Sequence, residues 1–92
     1  MTIVAIDDEK MALEALSKAI REAVPEAELH SFRWSEDALA FAEKSHIDVA
    51  FLDVAMPGAN GVELARHLML YQPRINIIFA TGFGQYRDSA FD

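Results

Sequence analysis

Apolar positions along the chain alternate between two periods. Thr2–Ile6 is a short β-branched run that reads as a buried strand. Leu13, Leu16, Ile20 and Val24 then recur at helical spacing, which predicts an amphipathic helix over Lys10–Val24, closed by Pro25. Glu28–Phe32 is a more polar strand that suits the rim of a sheet. Ser35 is placed to cap a helix over Glu36–Lys44, and Glu36 and Asp37 suit the dipole of its first turn. Asp48–Asp53 is a nearly unbroken apolar strand, and Gly58–Gly61 is a turn-rich loop. Val62–Leu70 is a third helix with Leu64 and Leu68 inward, closed by Pro73. Ile75–Ala80 is a fourth strand, and Gln85–Phe91 opens a fourth helix. The order βαβαβαβα with short connections predicts one α/β domain, a parallel sheet wound with helices on both faces.

Composition narrows the function classes. A chain of 92 residues supports one small domain, and 52% hydrophobic residues are enough to fold it. With 15 acidic against 8 basic residues the net charge is −7, which argues against binding nucleic acid or an anionic membrane. There is no cysteine, hence no disulfide framework and no thiolate metal site. No apolar run reaches the roughly 20 residues that span a bilayer, and no secretory pattern opens the chain, so a cytoplasmic location is expected.

The candidate chemistry lies at the ends of the apolar runs. The first strand closes on Asp7-Asp8, the third on Asp53 and the fourth on Thr81. In open parallel sheets ligands bind beyond the carboxyl ends of the strands, so these groups converge. Clustered carboxylates repel one another, and a hard divalent cation with oxygen ligands relieves the repulsion. Asp53 then has the character of a nucleophile toward phosphorus, with Thr81 placed to donate to a phosphoryl oxygen.

The acidic group Asp7-Asp8-Glu9, the segment Asp53-Val-Ala-Met-Pro57-Gly58 followed by Gly61, and Ala80-Thr81-Gly82 together resemble the receiver domain of two-component response regulators. The resemblance runs in register along the whole chain. It implies a flavodoxin-like (CheY-like) sheet of order 2-1-3-4. It also implies a phosphoacceptor domain of a phosphorelay, which is a regulatory module rather than a separate enzyme. Asp53 is then the phosphoacceptor and Thr81 the phosphoryl contact. Mg²⁺ (or Mn²⁺) is held by the side chains of Asp8 and Asp53, by the backbone carbonyl of Ala55, and by Asp7 through a water. The donor is a sensor histidine kinase or a small acyl phosphate. The stretch Thr81-Gly-Phe-Gly-Gln-Tyr86 to Ala90-Phe91 is similar to receivers that precede LytTR-type DNA-binding domains, which implies an output domain outside these residues.

Receivers of this family have five strands and five helices, so a receiver truncated before the fifth strand is the expectation for residues 1–92, without the lysine of that strand. Two further expectations follow: weaker phosphorylation, and a homo-oligomer formed through the exposed fourth-strand edge or an uncovered sheet face. The competing reading is a receiver-like module that binds partners without phosphorylation. Two other classes fall away on single residues. Haloacid-dehalogenase phosphatases carry a second Asp two positions after the nucleophile, where this chain has Ala55; an EF-hand loop needs Asp or Asn where Ala55 and Pro57 stand. His30, His46 and His67 lack ligand spacing and read as surface or boundary residues, Trp34 reads as packing, and Phe83 as a residue governing access to the phosphoryl group.

Overall fold

The computed structural model describes residues 1–56 and 59–80, and of residues 55, 56, 59 and 60 the backbone alone. The elements are β1 (Thr2–Ile6), α1 (Lys10–Ala23), β2 (Glu28–Phe32), α2 (Ser35–Lys44), β3 (Val49–Leu52), β4 (Ala55–Met56), β5 (Ala59–Asn60), α3 (Gly61–Tyr71) and β6 (Asn76–Phe79). Four of the strands form one parallel sheet of order β2-β1-β3-β6. In sequence order of those strands this is 2-1-3-4, the order expected for the flavodoxin-like fold.

Alternation along the central strands sorts the core into two layers. Val4, Ile6, Ala50 and Leu52 pack with Ala38 and Ala42 of α2 and with Leu64, Ala65 and Leu68 of α3. Ile3 and Ala5 face the other way, with Leu13 and Ile20 of α1 and the partly buried Val49 and Phe51. Among the described residues one helix lies on one face and two on the other, which makes the sheet doubly wound. β1 is buried through Ile3–Ile6 while β2 has no buried residue, Leu29, His30 and Phe32 being half-buried and Glu28 and Ser31 exposed, as its polar sequence and outer place require.

Element ends differ from the periodicity in physically interpretable ways. Ser35 does not cap α2: Trp34 holds the cap position in extended geometry, and the Ser35 hydroxyl donates to Glu36 Oε1 at 3.2 Å. Trp34 is not packing either, being 52% exposed, with the Arg33 guanidinium carbon 4.9 Å from its ring centre. The loop expected at 58–61 includes a strand, since Ala55–Met56 and Ala59–Asn60 pair antiparallel and satisfy backbone groups that composition alone assigns to a turn. The fourth helix, Thr81 and Phe83 lie outside the described residues.

Candidate metal and phosphoacceptor site

Strand register builds the site. Ile6 pairs with Phe32 on one side and with Leu52 on the other, and Leu52 pairs with Phe79. The next residue of each strand therefore reaches the same edge of the sheet: Asp7, Arg33, Asp53 and Ala80. Backbone bonds extend the ladder one step into this row, from Asp7 N to Phe32 O (3.2 Å), Asp53 N to Ile6 O (3.2 Å) and Ala80 N to Leu52 O (2.7 Å). Asp7 and Asp53 are thereby fixed by the rigid centre of the sheet rather than by a loop.

Both side chains are buried, Asp7 at 3% and Asp53 at 4% exposure, while Asp8 is half-buried. Carboxylate oxygens of Asp7, Asp8 and Asp53 all lie within 4.8 Å of one another. Burial pushes the Asp7 carboxyl above its ordinary value of 3.8; the Glu9 N–H that it accepts at 3.0 Å pulls it back, and the charges of Asp53, Asp8 and Glu9 push it up again. A buried carboxylate held among like charges is poised for a cation. The donors are all oxygen, which fits a hard ion such as Mg²⁺ and offers nothing to a soft metal.

The sequence-assigned residues divide as follows. Asp7, Asp8 and Asp53 come together. Ala55 opens β4, two residues beyond Asp53. His46 and His67 are exposed, and His30 sits half-buried against Phe41 with ring centres 4.4 Å apart, so no histidine joins the cluster. Glu9 is exposed and contributes its backbone N–H rather than its carboxylate. Arg33 escaped notice in the sequence. Its Nε and one terminal nitrogen donate to the backbone carbonyl of Asp8 at 3.3 and 3.2 Å. The available signal was positional, a cation directly after a strand that neighbours the one ending in Asp7-Asp8.

A family model for the response regulator receiver domain matches residues 3–91. An uncharacterised response regulatory protein of Vibrio cholerae is 38% identical over 99% of this chain, which covers 35% of that protein. The transcriptional regulatory protein YpdB of Escherichia coli is 28% identical over 100% of the chain and is covered to 38%. The chain thus spans about a third of the length of these curated relatives. Among solved structures, the response regulator TrrA of Thermotoga maritima in complex with Mg²⁺ and beryllium fluoride superposes with a TM-score of 0.76 at 29% identity, over 95% of this chain and 74% of that one.

Proposed function

Because the chain belongs to the response regulator receiver family, we propose that it accepts a phosphoryl group on Asp53 from a phosphohistidine of a sensor histidine kinase. The observation that carries this reading is the convergence of Asp7, Asp8 and Asp53 within 4.8 Å at the ends of adjacent strands. In the step, an Asp53 carboxylate oxygen attacks phosphorus, the phosphorus–nitrogen bond breaks, and the leaving imidazole takes a proton from solvent. Asp8 and Asp53 would hold Mg²⁺ by their side chains, together with the Ala55 carbonyl, and Asp7 would contribute through a water. When bound, the ion neutralises charge on the phosphoryl oxygens. Thr81 would donate to one of the oxygens of the resulting acyl phosphate.

The proposed setting is cytoplasmic; among the described residues no helix is long and apolar enough to cross a membrane. The chain acts as a regulatory receiver, not as an enzyme with a separate substrate. The name and length of YpdB support an output segment of DNA-binding type, acting apart from this acidic domain. Self-association through β6 is part of the proposal: it is an outer strand among the described residues, and Ile78 and Phe79 are each 44% exposed.

Incubation with an acyl phosphate and Mg²⁺ tests the assignment by mass. One added phosphoryl group is expected, absent without Mg²⁺ and absent in Asp53→Asn. A folded chain that takes up none would favour the phosphorylation-independent module instead. Sedimentation of a dilute sample tests self-association, which a stable monomer would overturn.

A further inference from the structure

The peptide between Asp8 and Glu9 is held at both ends. Its N–H donates to Asp7 Oδ1 at 3.0 Å, and its C=O accepts the forked Arg33 pair at 3.3 and 3.2 Å. Asp7 and Asp8 are both members of the acidic cluster. One side chain bonds to this peptide and the other hangs from the α-carbon that begins it, so the orientation of a single peptide plane bears on two of the three carboxylates. Backbone bonds hold the two ends of the segment between β1 and α1, Asp7 N to Phe32 O at 3.2 Å and Leu13 N to Glu9 O at 2.9 Å, and the Asp8–Glu9 peptide lies between them. The cap position of α1, Glu9, makes no side-chain hydrogen bond to the helix.

Arg33 suits this task for two reasons. It directly follows β2, whose last residue pairs with Ile6, so its backbone sits level with Asp7 on the neighbouring strand. Its planar guanidinium also lies over the Trp34 ring, which narrows the rotamers available to it before it reaches the carbonyl. A lysine at this position has no fork to match.

We propose that Arg33 is a positioning residue for divalent-cation binding, pinning the Asp8–Glu9 peptide so that Asp7 and Asp8 present their oxygens together. The inference rests on the reading of the acidic cluster as a cation site. It makes a prediction opposite to the simplest electrostatic one. A cation bonded to the Asp8 carbonyl brings positive charge toward the acidic cluster and opposes Mg²⁺, so deleting it should tighten binding if charge is all it contributes. If Arg33 acts by positioning, deleting it loosens binding despite the more negative site. Hydrogen-bonded partners of metal ligands commonly alter affinity by about 10- to 100-fold, and an exposed one such as Arg33 should give about three- to tenfold.

The test is a Mg²⁺ titration of the chain followed by amide shifts of residues 7–9 and 53, for the wild type, Arg33→Ala and Arg33→Lys. The expected result is a weaker Mg²⁺ affinity in both variants, larger for Ala, with the metal-free melting midpoint unchanged. The Glu9 amide proton should also move upfield in the metal-free variants as its bond to Asp7 loosens. Equal or tighter Mg²⁺ binding in the variants would overturn the role of Arg33 while leaving the cation site intact. Wild-type protein that binds no Mg²⁺ would overturn the site reading and this inference with it. The lysine variant keeps the charge and one donor nitrogen in place of the fork, so it reports even if the alanine variant folds poorly.

Discussion

A β-carbon placed on Gly61 would collide with the backbone carbonyl oxygen of Asp53, and would crowd Val54 Cα and O at 3.0 Å each. Gly61 also donates its N–H to the Val54 carbonyl at 3.1 Å. The first residue of α3 is therefore pressed against the backbone that carries the proposed phosphoacceptor. Neither side is the end of a flexible side chain that could turn aside. Gly61→Ala should cost about 1–3 kcal/mol in urea unfolding, as overpacking does, and should lower Mg²⁺ affinity by moving Asp53. A variant with wild-type stability and wild-type Mg²⁺ affinity would show that the contact relaxes without consequence.

Asp7 gives the metal-free domain a pH dependence of definite sign. Burial raises its folded value above the ordinary 3.8, so the folded state binds the proton more tightly than the unfolded chain. The stability this confers is complete below about 3.8 and is lost as pH rises through the folded value, so ionised Asp7 is a net cost at neutral pH. Asp7→Asn removes the charge and keeps an oxygen for the Glu9 N–H. Its urea midpoint at pH 7 without divalent ions should exceed that of the wild type, with the difference shrinking toward pH 4. Mg²⁺ should raise the wild-type midpoint much more than that of the variant. A less stable Asp7→Asn at pH 7 would contradict this account.

The sheet and the acidic row were legible because both follow from local pattern. Apolar runs closed by Asp7 and Asp53 carry their own register once the strands lie parallel, since Ile6 and Leu52 pair and the next residues must meet. The polar character of β2 likewise placed it at the rim. What was not legible depends on groups far apart in sequence. Arg33 reaches Asp8 across 25 positions, and Gln72 reaches Ile47 across 25. The Trp34 ring looked like core because aromatic residues usually are, yet it follows a rim strand and lies against a guanidinium in solvent. The β4–β5 pairing was hidden because two-residue strands leave no periodicity to read.

Gln72 closes the opposite end of the fold. Its Nε2 donates to the carbonyls of Ala42 and Ser45, both at 2.8 Å, and its Oε1 accepts from Ile47 N at 3.3 Å. One side chain thus satisfies two carbonyls at the end of α2 and the amide of a residue that is 1% exposed. Gln72→Ala leaves those groups to find water at a partly buried site and should cost about 1–3 kcal/mol. Gln72→Glu keeps the acceptor but loses both donations and sets a charge against two carbonyls, so it should rescue little. Urea unfolding of the two variants checks the ranking; stability close to wild type in Gln72→Ala would show that water replaces the clamp.

Asp48 ties together the entries of three strands at that same end. Its Oδ2 accepts from Thr2 N at 2.8 Å, its Oδ1 meets His46 Nε2 at 2.9 Å, its N–H donates to Thr2 O at 2.9 Å, and its carbonyl accepts from Asn76 N at 3.0 Å. The Thr2 N–H first, and His46 second, hold its carboxyl below the ordinary 3.8. A depressed carboxyl contributes stability that is present above the unfolded value and lost as pH falls through the folded one. The sign is opposite to that of Asp7, so the two residues can be separated in one titration. Asp48→Asn preserves the shape and an acceptor for Thr2 but cannot ionise. It should be less stable than the wild type at pH 6, and the gap should close as pH falls below about 3.8. Urea midpoints measured between pH 6 and pH 3 check this. A gap that stays constant over that range would assign the effect of Asp48 to neutral hydrogen bonding rather than to its charge.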